Sequence, residues 1–363
     1  MIINVVFSVS VLLSLIFKDS TENIFIVIAS ISIYKIFISE KNYRKLISIF
    51  LFSYLLINIF VVFGLRIYFY KDDIDPVVQK EETLILLVYE GEDKSYNIRE
   101  KSTQIYLEQG YKSMYNSILS LNKHKHYYQK IGQSNYSQDI FEISENLKNT
   151  LDQKYIVANA CLYSQPYFEN TINVALKEGY EKILICPVFM TDGKNYENLN
   201  KRYEKMDLLS KNYTEIEILE PMDNVDKIID LYVDNLTDEI INLDIDSGIV
   251  LVGLDENDKR TDIKIRKKIK EKLETYNLDI YIKLSYGIKE TIKSSEKLLE
   301  YGINSLYILT PTSTIDNIYT RYIAQKTKDS IDLGYSEFYH YTPRDKNKII
   351  SSIIKNIIED RNS

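Results

Sequence analysis

Between Leu46 and Leu65 the chain reads LISIFLFSYLLINIFVVFGL, without one charged side chain. A helix rises about 1.5 Å per residue, so this run is long enough to cross the roughly 30 Å hydrocarbon core of a bilayer. Two further apolar runs precede it, 1–17 and 24–39, the second interrupted only by Lys35, whose stem has the reach to snorkel from a helix end. A secretory signal is the alternative for the first run, but no Lys or Arg stands ahead of it. The pattern predicts a cell-membrane anchor of two or three transmembrane helices over 1–70. The loop SEKNYRK carries Lys41, Arg44 and Lys45, so positive-inside counting puts it in the cytoplasm. With three spans the rest of the chain then lies outside; with two it returns to the cytoplasm, and Arg66, Lys71 and Lys80 oppose the bias.

After a polar linker (71–82), short β-branched runs alternate with stretches of helical period. TLILLVY (83–89), YIVANA (155–160), KILICPVF (182–189), EIEIL (215–219), GIVLVG (248–253), IYIKLS (280–285) and SLYILTP (305–311) read as strands. Between the first two, Leu107, Tyr111, Met114, Ile118 and Leu121 fall on one stripe of an amphipathic helix over 97–121. Strands alternating with helices predict an α/β fold with parallel sheets covered on both faces. The sequence also repeats: ALKEGYEKILICPVF corresponds to KLLEYGINSLYILTP, and LILLVYEGED to IVLVGLDEND. Two similar halves facing a cleft, 83–243 and 244–363, follow from that correspondence. A formal charge of −7 argues against nucleic acid as a partner, which needs a basic face. The two cysteines, Cys161 and Cys186, sit in apolar strands and read as inert packing.

The residues after the strands carry a resemblance. VANACLYSQPYFENTINVALKEGYEKILICPVFMTDGKNYENL (157–199) resembles the first half of the type II tetrapyrrole chelatases, which include ferrochelatase and the anaerobic cobalt chelatase. CLYSQPYFE keeps Tyr163, Pro166 and Glu169 of a ferrochelatase-like stretch. Gly179-Tyr180, a strand, and Gly193 to Tyr196 match the cobalt-chelatase order. The resemblance implies a tetrapyrrole held between the halves and a divalent metal inserted there, a lyase reaction. It also implies a His after the first strand of the second half, where this chain has Val252 and Gly253. A second His or Glu is implied after the last strand's proline, where Asp316 and Tyr319 follow Pro311 instead. The smaller chelatases place a His where this chain has Asn195. The three histidines, His124, His126 and His340, stand at none of these places.

Three readings remain open at this stage. The first is a catalytically degenerate chelatase relative that binds a tetrapyrrole or metal. The second is a working chelatase with an acidic site drawn from Glu90, Asp192 and Asp316, with Glu90 or Asp255 as metal ligand. The third is an interaction module at the membrane, docking a protein partner or a second copy of itself. Tyr89, Tyr163, Asn195, Tyr196, Tyr286 and Tyr319 are the candidates to line a tetrapyrrole cleft, because phenols and carboxylates from the strand ends supply oxygen ligands and flat apolar surfaces. His124-Lys-His126 reads as a solvated loop, His340 as structural, and KIRKKIKEKLE (264–274) as the solvated face of a helix.

Overall fold

The computed structural model describes residues 2–39, 43–69, 80–206, 214–222, 225–243, 246–254, 259–276 and 278–361. The chain divides into two compact units, one formed by Met1–Tyr70 with Asp93–Gln133, the other by Lys71–Glu92 with Ser134–Ser363.

The first unit is helical. It contains α1 (Ile2–Ile16), α2 (Asp19–Ser39) and α3 (Tyr43–Phe60), the last running on through a π-helical turn, Val61–Leu65. Two stretches are long and apolar enough to cross a membrane, Asp19–Ile38 and Arg44–Leu65, whereas the apolar α1 is shorter. The remaining helices, α4 (Ile98–Gln109) and α5 (Ser113–Ile131), form a hairpin packed on α3 and α1. Leu12, Ile16, Ile57, Val61, Ile105, Ile118 and Leu121 make the shared core. Polar anchors fix the hairpin. The Tyr54 hydroxyl donates to the Tyr115 carbonyl at 2.8 Å, and Asn58 Oδ1 accepts from Ile118 N at 3.0 Å. Ser102 Oγ donates to the Val61 carbonyl at 2.7 Å. Lys125, nearly buried, donates to the Ser14 carbonyl and pairs with Glu22 at 3.0 Å.

The single helix expected over 97–121 is therefore two. Gly110, at φ 59°, ends α4, and a short 3₁₀ turn resets the helical phase before α5. Ile118 and Leu121 of the expected stripe are buried, while Tyr111 is exposed. His124 and His126 lie in α5 rather than in a loop. Two positions apart on a helix they point about 200° apart, so they share no face.

The second unit is the α/β one, and its two halves have the same plan. The first contains β1 (Lys80–Tyr89), α6 (Tyr136–Lys148), β2 (Tyr155–Cys161), α7 (Phe168–Glu178), β3 (Tyr180–Pro187), α8 (Lys194–Met206), β4 (Glu215–Ile218) and α9 (Val225–Leu243). The second contains β5 (Ser247–Gly253), α10 (Lys259–Glu274), β6 (Ile280–Tyr286), α11 (Gly287–Leu299), β7 (Ser305–Leu309), α12 (Ile318–Lys328), β8 (Glu337–His340) and α13 (Lys346–Arg361). Both sheets are parallel and four-stranded, in the orders β2-β1-β3-β4 and β6-β5-β7-β8. The internal repeat read from the sequence is thus a repeat of structure. Gly179 and Gly302 follow α7 and α11 at φ 78° and 77°, the left-handed geometry that lets a chain leave a helix directly into a strand. The seven strand runs read from the sequence all form. The short edge strand β8 is an addition, and its EFYH holds too few apolar residues to have signalled itself.

One core joins the halves. Ile85, Leu87 and Tyr89 of β1 and Ile249 and Leu251 of β5 lie in a single apolar cluster with residues of α6, α9, α10 and α13. The plan also locates an insertion. In the second half only residues 254–258 separate β5 from α10, whereas in the first half α4 and α5 stand between β1 and α6. The α4–α5 hairpin is this extra piece.

Candidate functional site

In each sheet the strand order reverses beside the central strand, between β1 and β3 and between β5 and β7. Ligands of open parallel sheets sit outside the carboxyl ends at such points. Glu90–Glu92 with Val188–Met190 occupy that place in the first half, and Gly253 with Thr310–Ser313 in the second.

The second-half position is filled by a buried ion pair. Arg266 of α10 is fully buried and places Nε 3.0 Å from Asp262 Oδ2, with Nη2 on the same oxygen. Its Nη1 donates to the carbonyls of Leu251 at 3.2 Å and Ser285 at 3.1 Å, capping the ends of β5 and β6. Thr312, just past β7, donates to Asp262 Oδ1 at 2.6 Å. The guanidinium carbon stands 4.2 Å over the ring of Tyr286. A Cβ at Gly253 would fall 2.5 Å from Tyr286 and 2.6 Å from both Arg266 and Asp262. Any side chain at 253, including the histidine implied there by the chelatase resemblance, would collide with this pair. Val252 is buried in the core on the other face of the sheet.

Sequence reasoning placed Arg266 on a solvated helix face, and the structure corrects that. Ile265, Ile269 and Leu273 form the inward stripe of α10, and Arg266 turns in beside it. The exposed part of the run behaves as expected, with Lys268 paired to Asp226 at 2.8 Å.

In the first half, Arg202 of α8 pairs through both forks with the Glu169 carboxylate and donates to the Leu162 carbonyl. Glu169 is therefore an anchor for the loop after β2. Tyr163 is buried, its hydroxyl donating to Asn195 Oδ1 at 3.1 Å and accepting from Asn198 Nδ2 at 2.7 Å. The structure thus joins two of the proposed cleft residues, Tyr163 and Asn195, as a packing contact. Tyr89 is fully buried in the core, where burial raises its phenol well above the ordinary range. Glu90, Tyr196, Tyr286 and Tyr319 are partly buried at the strand ends, and Asp192 is exposed. The hydroxyl of Tyr319 lies about a van der Waals contact from the position a Cβ would take at Gly287, beside Tyr286. Asp255 lies outside the described residues.

Glu92 was missed by sequence reasoning. Its Oε2 accepts from Ser134 Oγ at 2.5 Å and from the backbone of Ile318 at 2.9 Å, at the start of α12. A carboxylate there complements the unpaired N–H groups and dipole of the helix. The contact ties the two halves together over 226 residues of sequence.

His340, at the end of β8, has Nε2 3.5 Å from Asp316, whose Oδ1 also accepts from Thr320 Oγ1 at 2.6 Å. Burial lowers the imidazole while Asp316 opposes the shift. Nearby, Lys346 is buried and donates to the Ser313 carbonyl at 2.7 Å and the Tyr232 hydroxyl at 3.2 Å. Burial pulls its ammonium down to about 8 from the ordinary 10.5. Between those values the unfolded chain binds the extra proton, so this residue's contribution becomes more favourable as pH rises. The stability of the wild type relative to Lys346→Met should therefore climb between pH 8 and 10 in urea melts, and a flat difference would contradict the assignment.

Among the described residues, no group of three or more His, Cys, Asp and Glu is placed to hold a metal ion. Cys161 and Cys186 are both buried thiols outside any disulfide, and burial pushes the Cys186 thiol up.

Two repeated parallel sheets build the α/β unit, and the likeness to the type II tetrapyrrole chelatases lies in its first half. Within it, residues 132–239 match the model of the CbiX family. Among solved structures, SirB from Bacillus subtilis with Fe3+ aligns at a TM-score of 0.47 and 12% identity, over 77% of this chain and 95% of that one. The sirohydrochlorin chelatase SirB from Bacillus subtilis subspecies spizizenii, in complex with cobalt, aligns at 0.46 and 10%, over 77% and 97%. The Escherichia coli transcriptional repressor ascG aligns at 0.33 and 12%, over 77% and 92%. No curated protein matches the chain.

Proposed function

We propose that this chain is a membrane-tethered, chelatase-like protein whose α/β unit binds a tetrapyrrole without inserting metal by histidine chemistry. The observation that carries the proposal is the Asp262–Arg266–Thr312 cluster, which fills the strand ends where the resemblance implies the metal-handling histidine. Asp262 is committed to a guanidinium and a hydroxyl, so its lone pairs are spent on the protein. The donor set does not fit a resident metal, and a metal enters this reading only as cargo on the macrocycle. The partly buried phenols of Tyr196, Tyr286 and Tyr319 offer the flat aromatic surfaces on which a macrocycle packs. Tethering is supported by the two long apolar helices and by the exposure of Ile24, Val27, Ile31, Phe37, Leu51 and Phe52 along them.

The test is an absorbance titration of the whole protein, in detergent, with coproporphyrin, sirohydrochlorin and haem. A saturable shift that weakens at least several-fold in Tyr286→Ala or Tyr319→Ala is the expected result. Metal insertion by the wild type, abolished in Glu90→Gln, would overturn the proposal in favour of an acidic catalytic site. No shift with any of the three would favour the second reading, an interaction module. The Glu92 bridge between Ser134 and the start of α12 supports that reading, because it joins the halves through the protein's own side chains.

A further inference from the structure

The α4–α5 hairpin presents an exposed stripe that continues the apolar surface of α3. Tyr54 and Asn58 belong to the candidate span Arg44–Leu65, and they bond directly to Tyr115 and Ile118. The first turns of α5 therefore run level with the middle of the span rather than beyond its end. Covered on one side by Ile57, Val61 and Leu12, this part of the hairpin exposes the other. Tyr111, Tyr115 and Leu119 are 70%, 69% and 58% exposed, at four-residue spacing. Further along α5 the exposed residues are Lys123, His126, Gln129 and Lys130, so the same helix passes from aromatic to polar and basic. At the foot of the span, Arg66 sits among the rings of Phe63, Tyr68 and Tyr106, the last contributed by α4.

Aromatic rings gather at the boundary between acyl chains and headgroups, and basic side chains just outside it. We infer that the α4–α5 hairpin is a lipid-facing membrane element, with Tyr111, Tyr115 and Leu119 beside the acyl chains and Lys123 and Lys130 towards the headgroups. The inference rests on the membrane reading of α2 and α3 and goes beyond it: part of the chain inserted between β1 and α6 is itself lipid-facing.

The protein contains no Trp, so each introduced Trp is a sole reporter. Tyr115→Trp, Leu119→Trp, Phe52→Trp and Tyr301→Trp are compared in full-length protein reconstituted into phosphatidylcholine bilayers with and without brominated acyl chains. The expected result is loss of half or more of the emission for Phe52→Trp and for both α5 reporters, with Tyr301→Trp, on the α/β unit, unchanged. Quenching of Phe52→Trp with neither α5 reporter affected would overturn the inference and leave the anchor standing. No quenching at any of the four would remove the anchor itself, and this inference with it.

Discussion

A chain that starts at Lys80 and joins Glu92 to Ser134 through a short Gly-Ser bridge is expected to be a soluble, cooperatively folding monomer. The same truncation with 93–133 retained is expected to aggregate. The bridge is feasible because Glu92 and Ser134 already touch, at 2.5 Å between side-chain oxygens. The second half also passes from β5 to α10 with only residues 254–258 between them. Retaining the hairpin without α1–α3 uncovers Ile105, Ile118 and Leu121, each now essentially buried. Burial of such a side chain is worth about 1.5–3 kcal/mol, so the three together lose roughly 5–9 kcal/mol. Tyr111, Tyr115 and Leu119 are already exposed on the other side, and a hairpin apolar on both faces self-associates. Light scattering on the two fragments decides the matter. A monodisperse hairpin-bearing fragment, or an unfolded bridged one, would show that the division into units is wrong.

Asp262→Ala is expected to be the most destabilising single substitution at the strand ends, by about 3–5 kcal/mol in urea unfolding of the bridged domain. Removing one partner of a buried pair leaves the other charge without compensation, which costs far more than the pair's net contribution. Arg266 has no route to water, and its remaining contacts are the Leu251 and Ser285 carbonyls and the Tyr286 ring, none of which carries a compensating charge. Asp262→Ala with Arg266→Met should recover part of the loss by removing the stranded charge. Asp226→Ala is the control: its pair with Lys268 is solvent-exposed, and such pairs are worth about 0–1 kcal/mol. A cost for Asp262→Ala no larger than for Asp226→Ala would mean the cluster is open to solvent. In that case the strand ends of the second half would again be available to a ligand.

The contrast between fold and site in what could be read beforehand has a physical origin. A strand buried on both faces must be apolar at nearly every position, so TLILLVY and GIVLVG announced themselves without partners being known. The repeat was legible because two copies of one plan keep the same glycine after the same helix. Partner identity is different. The apolar positions Ile105, Ile118 and Leu121 say that something covers them, but only the structure shows the cover to be α1 and α3. A signal was nevertheless present: the repeat aligns β1 with β5, and the first half then carries some forty residues too many before α6. Arg266 lies in a run of lysines whose other members are solvated, and nothing in KIRKKIKEKLE separates it from them. Tyr89 ends the strand that Glu90 follows, and one faces the core while the other faces the loop. The alternation of strand faces, carried one residue further, would have put Tyr89 with Ile85 and Leu87.

The order in which the chain builds its two units bears on how the α/β domain could be let go. The polypeptide crosses between the helical unit and the α/β unit three times, near residues 70, 92 and 133. Proteins with one stalk are shed when a protease severs it. Here a cut before β1 leaves the domain held by both ends of the hairpin, and a cut on either side of the hairpin leaves the stalk. Separating the whole α/β unit from the helical one takes cleavage at all three crossings, and a molecule nicked at one of them keeps its units covalently joined.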